Sequence, residues 1–479
     1  MKKDKSKRSS KYSLLKAIGI AFLIFAVLSW IIPAGTISSG TYTKNTDGTI
    51  PVGLFGLFSN PLYSFGIFAQ YFLLLLSIGG LYGVLNKTGV YTKIVDNFGS
   101  SVEKHKKLWL IVITFLLALI SSIVGNQIVL FILVPFFVAV LMKGGFNKVT
   151  SIAATAGAII IGVAGSIFGN DVIYISFFKA GVFTGTITKI IYFVLITTLY
   201  ILFLLLQNKM LSKKRKKLDI KDLDIFKSEE IPLYEKNESN KSTVPLIIMS
   251  IILLLIVFIG CINWTYTFDV SFFTELDTKI NDISWLPKVF GTLPVMGYFG
   301  NYDVAAIILI FTFIIKWLYS IKFDEFVDAF KDGMKQMVTP AVYAILASTI
   351  FAVMVNSSTG ANISTTISNS ILGISDKFYV LTVTLLGFVG GFFFNDLAYL
   401  TNSIYSLLAT YGSASVTIMG ILLQTGYAIA MLCLPVSVVL IAALRYLNVS
   451  YKEWMKYIYK FLLAMFVLVI VFGLIALAV

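Results

Sequence analysis

The sequence predicts an all-α, polytopic membrane protein with two inverted repeats, each containing a re-entrant hairpin and a broken transmembrane helix. Of its 479 residues, 58% are hydrophobic and 13% are charged, whereas a soluble chain carries roughly a quarter charged residues. Apolar runs recur along the whole chain, each about long enough to cross a ~30 Å hydrocarbon core. Polar interruptions fall at corresponding places in the two halves, and they predict the repeats and the broken helices.

Nine apolar segments are expected to cross the membrane completely. The basic start MKKDKSKRSSKYSLLK precedes an apolar run that is long for a signal peptide, so the first segment is predicted to stay as an uncleaved span. Two further stretches, 108–143 and 376–411, are interrupted near the middle and are predicted to be re-entrant hairpins. The crossing segments are 14–32, 62–86, 147–183, 186–207, 244–262, 301–320, 339–356, 413–447 and 457–479.

The basic residues predict the orientation. The net charge is +14, and a cytoplasmic N-terminus places the Lys- and Arg-rich segments, such as 87–107 and the KKRKK run of 208–243, on one side of the membrane. The opposite side receives 33–61 and the more acidic 263–300. This positive-inside pattern predicts a multi-pass protein of the plasma membrane with its C-terminus outside. It explains the charge without nucleic acid, and the lipid bilayer is the expected partner.

The chain is expected to divide into two repeats around a linker. One offset of 269 residues places Asn126 on Asn395 and Gly157 on Gly426. An odd number of crossings separates equivalent elements, which predicts that the halves are inverted. Within the second half, 321–338 has the apolar spacing of an amphipathic interfacial helix. The predicted domains are a first inverted repeat at 1–207, a cytoplasmic linker at 208–243, an extra transmembrane helix with an outer loop at 244–300, and a second inverted repeat at 301–479.

Four polar interruptions inside apolar segments are candidate binding sites. Within lipid, non-helical backbone persists only where protein or a water-filled cavity lines it. Half-helices that meet there expose free N–H and C=O groups, which small polar side chains can supplement. The candidate substrate- or ion-binding residues are Ser122, Gly125, Asn126, Gln127, Gly165, Ser166, Asn170, Asp171, Asn395, Asp396, Pro435 and Ser437.

Asp171 and Asp396 are the strongest candidates, because a carboxylate within a membrane is costly unless it is paired or faces water. Structural roles compete for the others. Gly165 belongs to a small-residue pattern that also packs helices together. A serine inside a span often bonds the carbonyl of its own helix, and Pro435 could serve only to kink one.

No cofactor and no firm metal site is expected. Oxygen ligands near Asn126, Asn170 and Asn395 could hold a coupling Na⁺, and either aspartate could carry a coupling proton.

Cysteine and histidine usage argues against an enzyme. Cys261 and Cys433 lie in or at the edge of apolar spans, without a disulfide framework or metal-ligand spacing. The only histidine, His105, lies in the Lys-rich loop SVEKHKK, and no hydrolase or metalloprotease motif is present.

Three stretches resemble a known family of bacterial carriers. LSWIIPAG at 28–35, IGVAGSIFGN at 161–170 and ALRYLNVSYKEWMKYIYKF at 443–461 are similar to the YfcC/DcuC family of the ion-transporter superfamily. The resemblance implies inverted repeats, a substrate site at two hairpin tips and two broken helices, and a homodimer. It also implies transport of C4-dicarboxylates or amino acids, with basic amino acids and arginine/ornithine exchange on the YfcC side.

The sequence departs from that family's pattern at three places. Gly125 is followed by Asn126 and Gln127 where the family has acidic residues, and Asn170 is followed by Asp171 rather than proline. Met431 stands where an asparagine precedes the family's proline. The departures concern substrate and ion coupling rather than architecture.

Together these features predict a secondary active transporter of a small-molecule substrate that works by alternating access. Two acids and no Lys or Arg in the four breaks favour an amino acid, with arginine/ornithine-type exchange as the leading hypothesis. The alternative is a C4-dicarboxylate carrier coupled to Na⁺ or H⁺, and a polytopic membrane enzyme is a distant third.

Overall fold

The structure, a computed structural model, describes residues 12–38, 40–45, 51–181, 183–215, 230–237, 239–355, 362–374, 376–409 and 415–478. It is mainly helical, as predicted. The helices before the linker are α1 (Ser13–Ile31), α2 (Leu54–Ile67), α3 (Ala69–Lys87), α4 (Val90–Lys104), α5 (Lys106–Val124), α6 (Val129–Lys143, opening with a 3₁₀ turn), α7 (Lys148–Ala164, with a π turn at Ala153–Gly157), α8 (Asp171–Phe178) and α9 (Thr186–Arg215).

The helices after the linker continue in the same manner. They are α10 (Val244–Cys261), α11 (Trp264–Phe268), α12 (Phe272–Asn281), α13 (Leu286–Phe290), α14 (Asn301–Leu318), α15 (Phe323–Ala347), α16 (Thr349–Val355), α17 (Ile363–Leu372), α18 (Tyr379–Phe393), α19 (Leu397–Leu408), α20 (Val416–Cys433), α21 (Val438–Tyr446) and α22 (Tyr451–Ala478).

Length and composition make this a multi-pass membrane protein. In the described part of the chain, 8 helices are long and apolar enough to cross a bilayer. They include α5, the first helix of the first predicted hairpin. The re-entrant hairpins, in which the two helices flanking a tip begin and end at the same membrane face, therefore stay a prediction.

A short β-hairpin is the exception to the all-α prediction. Strand β1 (Gly35–Ser38) pairs antiparallel with β2 (Thr41–Lys44). The hairpin joins the two halves of the chain, because Gly35 forms a β-bridge with Asn362 at the start of α17.

The four predicted breaks are all present. Helical structure is interrupted between α5 and α6, between α7 and α8, between α18 and α19, and between α20 and α21. Displacing α7 by 269 residues gives 417–433, within one residue of α20, and displacing α8 gives 440–447, which overlaps α21. The order of elements therefore recurs at the predicted offset, and the inversion of the halves stays a prediction.

A predicted span and the predicted interfacial helix differ from the structure. Segment 62–86 consists of α2 and α3, which meet at Phe68. Segment 321–338 is not a separate interfacial helix, since α15 runs through it and ends only before Ser348. The helix continues because its apolar face packs along α3, and such packing supplies most of the stability of a helix in a protein.

Glycines allow α3 and α15 to pack backbone against backbone. A Cβ added to Gly333 of α15 would lie 2.1 Å from the carbonyl oxygen of Gly79, and one added to Gly83 would lie 2.1 Å from that of Ala329. Such contacts are typical of small-residue helix pairing in membranes. This close pairing holds α3 in place, including its N-terminal end.

We predict that Gly333→Ala destabilises the protein by about 1–3 kcal/mol, because the new methyl group must push the two backbones apart. Thermal unfolding in detergent measures the change. Gly66→Ala is the matched control, since Gly66 lies in α2 with open space around its Cβ position. Equal melting temperatures for the two variants would contradict the close packing.

Candidate substrate-binding site

The first tip and the first broken helix are joined through one carbonyl group. The backbone N–H groups of Ile167, Phe168 and Gly169 donate to the carbonyl oxygen of Ser122 at 3.0, 3.0 and 2.9 Å. The Ser166 hydroxyl donates to the same oxygen at 3.3 Å. Backbone groups that the two breaks leave without a helical partner therefore bond one another, as backbone within a membrane must.

Two glycines allow this approach. Gly125 has φ +74°, and a Cβ there would lie 2.3 Å from the carbonyl oxygen of Gly169. Both the left-handed conformation and the close contact require glycine at position 125. A Cβ added at Gly165 would instead meet Phe193 and Ile196 of α9, so the glycine allows α9 to pack closely there. A part for Gly165 in binding stays a prediction.

A chain of amide side chains leads away from the first tip. Asn126 donates to the side-chain oxygen of Asn301 at 3.2 Å, and Asn301 donates to that of Gln70 at 3.2 Å. The tip therefore lies beside the first residues of α14 and α3. Half-buried Gln127 makes no side-chain hydrogen bond within the described part of the chain.

Asn170 of the first broken helix is buried and bonded to α20. Its amide donates to the side-chain oxygen of Gln424 at 3.2 Å, and Gln424 donates to the carbonyl oxygen of Ala164 at 3.1 Å. The backbone N–H of Asn170 donates to Ser166. Asp171 begins α8, and its side chain lies outside the described residues.

The second tip presents Asn395 and Asp396. Asp396 is the N-cap of α19 and accepts from the N–H groups of Ala398 and Tyr399 at 2.7 and 3.4 Å. Asn395 donates to the hydroxyl of Ser348, in the break between α15 and α16, at 2.6 Å. The second tip therefore meets a break that the sequence prediction did not contain.

Helices α3 and α20 bring the two tips into one region. Asp396 lies in the neighbourhood of Tyr71 of α3 and Tyr427 of α20. Tyr71 follows Gln70, which is linked to the first tip, and Tyr427 lies three residues after Gln424, on the same side of α20. Polar groups of both halves are thus brought near one another by α3 and α20.

Two buried polar atoms in this region have no hydrogen-bond partner in the described part of the chain. They are the side-chain oxygen of Asn395 and the hydroxyl of Tyr427. Most buried polar groups are hydrogen-bonded, so an unpaired acceptor and an unpaired donor near one carboxylate are consistent with a ligand site.

The second broken helix is held by contacts of its own. Ser437 is the N-cap of α21, where it accepts from the N–H of Leu440. The carbonyl of Leu432 accepts from Trp454 at 2.7 Å, and the hydroxyl of Tyr451 donates to the carbonyl of Cys433. Pro435 is buried in this break. The break is therefore held by α22, and a part for Pro435 and Ser437 in binding stays a prediction.

A buried lysine lines a pocket beside Gln424. Lys189 of α9 is only 8% exposed. The pocket's other walls include Tyr174 of α8 and Thr417 and Gly420 of α20. A cation therefore lies close to the broken helix, where the sequence prediction placed only acids.

Sequence reasoning missed Gln70, Asn301, Ser348, Gln424 and Lys189. A usable signal existed for Gln424, because an amide inside the apolar run ILLQTGYAIA is costly without a partner. Lys189 gave no such signal, since a lysine at the end of a span normally sets orientation.

The described residues contain no group of three or more His, Cys, Asp or Glu side chains that could hold a metal ion. Sodium coordination by oxygen atoms near Asn126, Asn170 and Asn395 stays a prediction.

Broken helices that enclose polar groups within a multi-pass apolar chain define a membrane carrier. The chain belongs to the DcuC family, C4-dicarboxylate anaerobic carriers, whose family model matches residues 68–478. It is also similar to the solved YdaH transporter of Alcanivorax borkumensis, described as having an unusual topology, with 14% identity over 97% of each chain and a TM-score of 0.35. Among curated proteins, none matches the sequence.

Substituting Asp396 separates its two roles. We predict that Asp396→Asn lowers transport about tenfold or more while the melting temperature is retained, because asparagine caps a helix as well as aspartate does. Asp396→Ala should lose transport and, in addition, about 1 kcal/mol of stability. Transport in proteoliposomes and thermal unfolding measure the two effects. Full transport by Asp396→Asn would leave the carboxylate with the capping role alone.

Proposed function

We propose that this protein carries small dicarboxylates of the C4 class across the plasma membrane by alternating access. The observation that carries the proposal is the buried Lys189 in the pocket shared with Gln424. A dianion in a membrane site needs positive potential, which a buried lysine supplies. The amides of Asn170 and Gln424 and the hydroxyl of Tyr427 offer further hydrogen bonds for carboxylate oxygens.

Asp396 gives only weak support to the competing substrate, a basic amino acid. Its carboxylate already accepts two backbone N–H groups at the N-terminus of α19. The positive end of the helix dipole compensates its charge. The aspartate is therefore stable without an ammonium or guanidinium group beside it, and family membership favours the dicarboxylate.

Coupling to Na⁺ or H⁺ completes the proposal. The unpaired oxygen of Asn395 and the carboxylate of Asp396 are suited to Na⁺, and the carboxylate alone to a proton. We further propose that the two halves, 1–207 and 301–479, are inverted repeats on either side of the linker 208–243 and the 244–300 insertion. The N-terminus would be cytoplasmic, the C-terminus outside, and the carrier a homodimer.

A substrate panel on purified protein tests the choice of substrate. In proteoliposomes, labelled succinate or fumarate is expected to enter with saturable kinetics, because the site supplies a buried cation and several donors. Labelled arginine and ornithine should show no uptake above empty liposomes. Uptake of arginine or ornithine without succinate would establish the amino-acid function instead.

Lys189→Gln is expected to lower dicarboxylate uptake about tenfold or more, since it removes the positive charge from the pocket while keeping a polar chain of similar length. Lys179→Gln is the matched control. Lys179 is exposed at the end of α8, where its ammonium group bonds the carbonyl of Ser176. Equal uptake by the two variants would remove Lys189 from the site.

A further inference from the structure

Part of the linker is bound tightly to the helices. The segment 231–237, here called the strap, includes Leu233, whose side chain is 1% exposed. Leu233 has φ +54°, a left-handed conformation that is unfavourable for leucine. A plain connector of mixed charge would adopt neither feature, so contacts from the surrounding helices must hold the strap in place.

Helices α3, α4 and α15 provide most of these contacts. Asn86 of α3 donates to the carbonyl of Leu233 at 3.0 Å and accepts from the N–H of Glu235 at 3.1 Å. Thr92 of α4 donates to the carbonyl of Glu235 at 2.8 Å. Gln336 of α15 accepts from the N–H of Leu233 at 2.7 Å.

The strap also contacts the helices that carry the breaks. The hydroxyl of Tyr446, in the last turn of α21, donates to the carbonyl of Pro232 at 2.7 Å. Tyr234 donates to Asp96 at 2.9 Å and lies under the ammonium group of Lys143 of α6, 4.3 Å from the ring centroid. The strap therefore connects the α3–α15 pair with the second broken helix and the first hairpin.

The strap and the Lys189 pocket lie at opposite ends of the same helices. Helix α9 runs from Lys189 to the linker at Arg215, and α20 with α21 runs from Thr417 of the pocket to Tyr446 at the strap. The candidate site around Gln424, which includes this pocket, is therefore separated from the strap by most of the length of α20 and α21.

We propose that the strap is a latch that closes the linker face of the carrier, parts from α21 in each transport cycle, and stays bound to α3, α4 and α15. Alternating access requires the region around Gln424 and Tyr427 to open toward the linker face. The Tyr446–Pro232 contact bridges that opening, whereas the bonds of Asn86, Thr92 and Gln336 lie within the rigid helix pair and its neighbour.

Cross-linking distinguishes the moving contact from the fixed one. With Cys261 and Cys433 replaced by serine, the pair Pro232→Cys and Tyr446→Cys ties the strap to α21. The control pair Glu235→Cys and Thr92→Cys ties it to α4. Closing the first pair with a cleavable thiol cross-linker is expected to lower succinate uptake about tenfold, with recovery after cleavage, and closing the second to change it less than about twofold. Undiminished uptake with the first pair closed, or loss of uptake with the second, would overturn the latch.

A second measurement needs no substrate, so a failure of the latch is distinguishable from a wrong substrate. In a Cys261→Ser background, Cys433 beside α21 reports opening through its alkylation rate. Tyr446→Phe removes the bond to the strap and is expected to raise that rate about threefold. Tyr319→Phe, the control, removes hydroxyl bonds to Ser242 and Leu246 elsewhere in the linker region and should leave it unchanged. Equal rates in Tyr446→Phe and the parent protein would overturn the proposal.

Discussion

The site depends on the hydrogen bonds that the carbonyl oxygen of Ser122 accepts from the first broken helix. Breaking a helix within a membrane leaves several backbone groups unpaired, each at a cost of several kcal/mol in lipid. Here one carbonyl at the end of α5 receives three consecutive N–H groups of the α7–α8 break. The first hairpin tip supplies the acceptor for these N–H groups, which stabilises the break. The tip can approach the break this closely because Gly125 and Gly169 lack side chains. Asn126 and Asn170 are positioned as a consequence.

Helix α20 extends this arrangement to the second half. Gln424 accepts a hydrogen bond from Asn170, and Tyr427, three residues later, lies near Asp396 of the second tip. A displacement of α20 along its axis would therefore change both half-sites together. Since its continuation α21 ends at the strap, the helix also links the site mechanically to the linker face. Such a shared rigid element is a means by which a substrate and a gate can influence each other.

The architecture was largely predictable from the sequence, and the partners within the site were not. Polar residues in apolar runs mark each break locally, so all four breaks were placed, including Asn395–Asp396. A lysine at the end of a span, such as Lys189, can either set the orientation of the helix or belong to a binding site. Only the packing of α9 against α20 shows that Lys189 lines a pocket. The strap at 231–237 has no periodicity to detect, because side chains of distant helices hold it.

The same packing changes what Asp396 implies about the substrate. An isolated acid in an apolar sequence suggests a cationic partner, since an unpaired buried charge is costly. As the N-cap of α19, however, Asp396 receives its compensation from backbone N–H groups and the helix dipole. Lys189 is then the buried cation of the pocket beside Gln424. This balance supports the proposed carboxylate-bearing solute, and in that proposal the unpaired side-chain oxygen of Asn395 receives the accompanying cation.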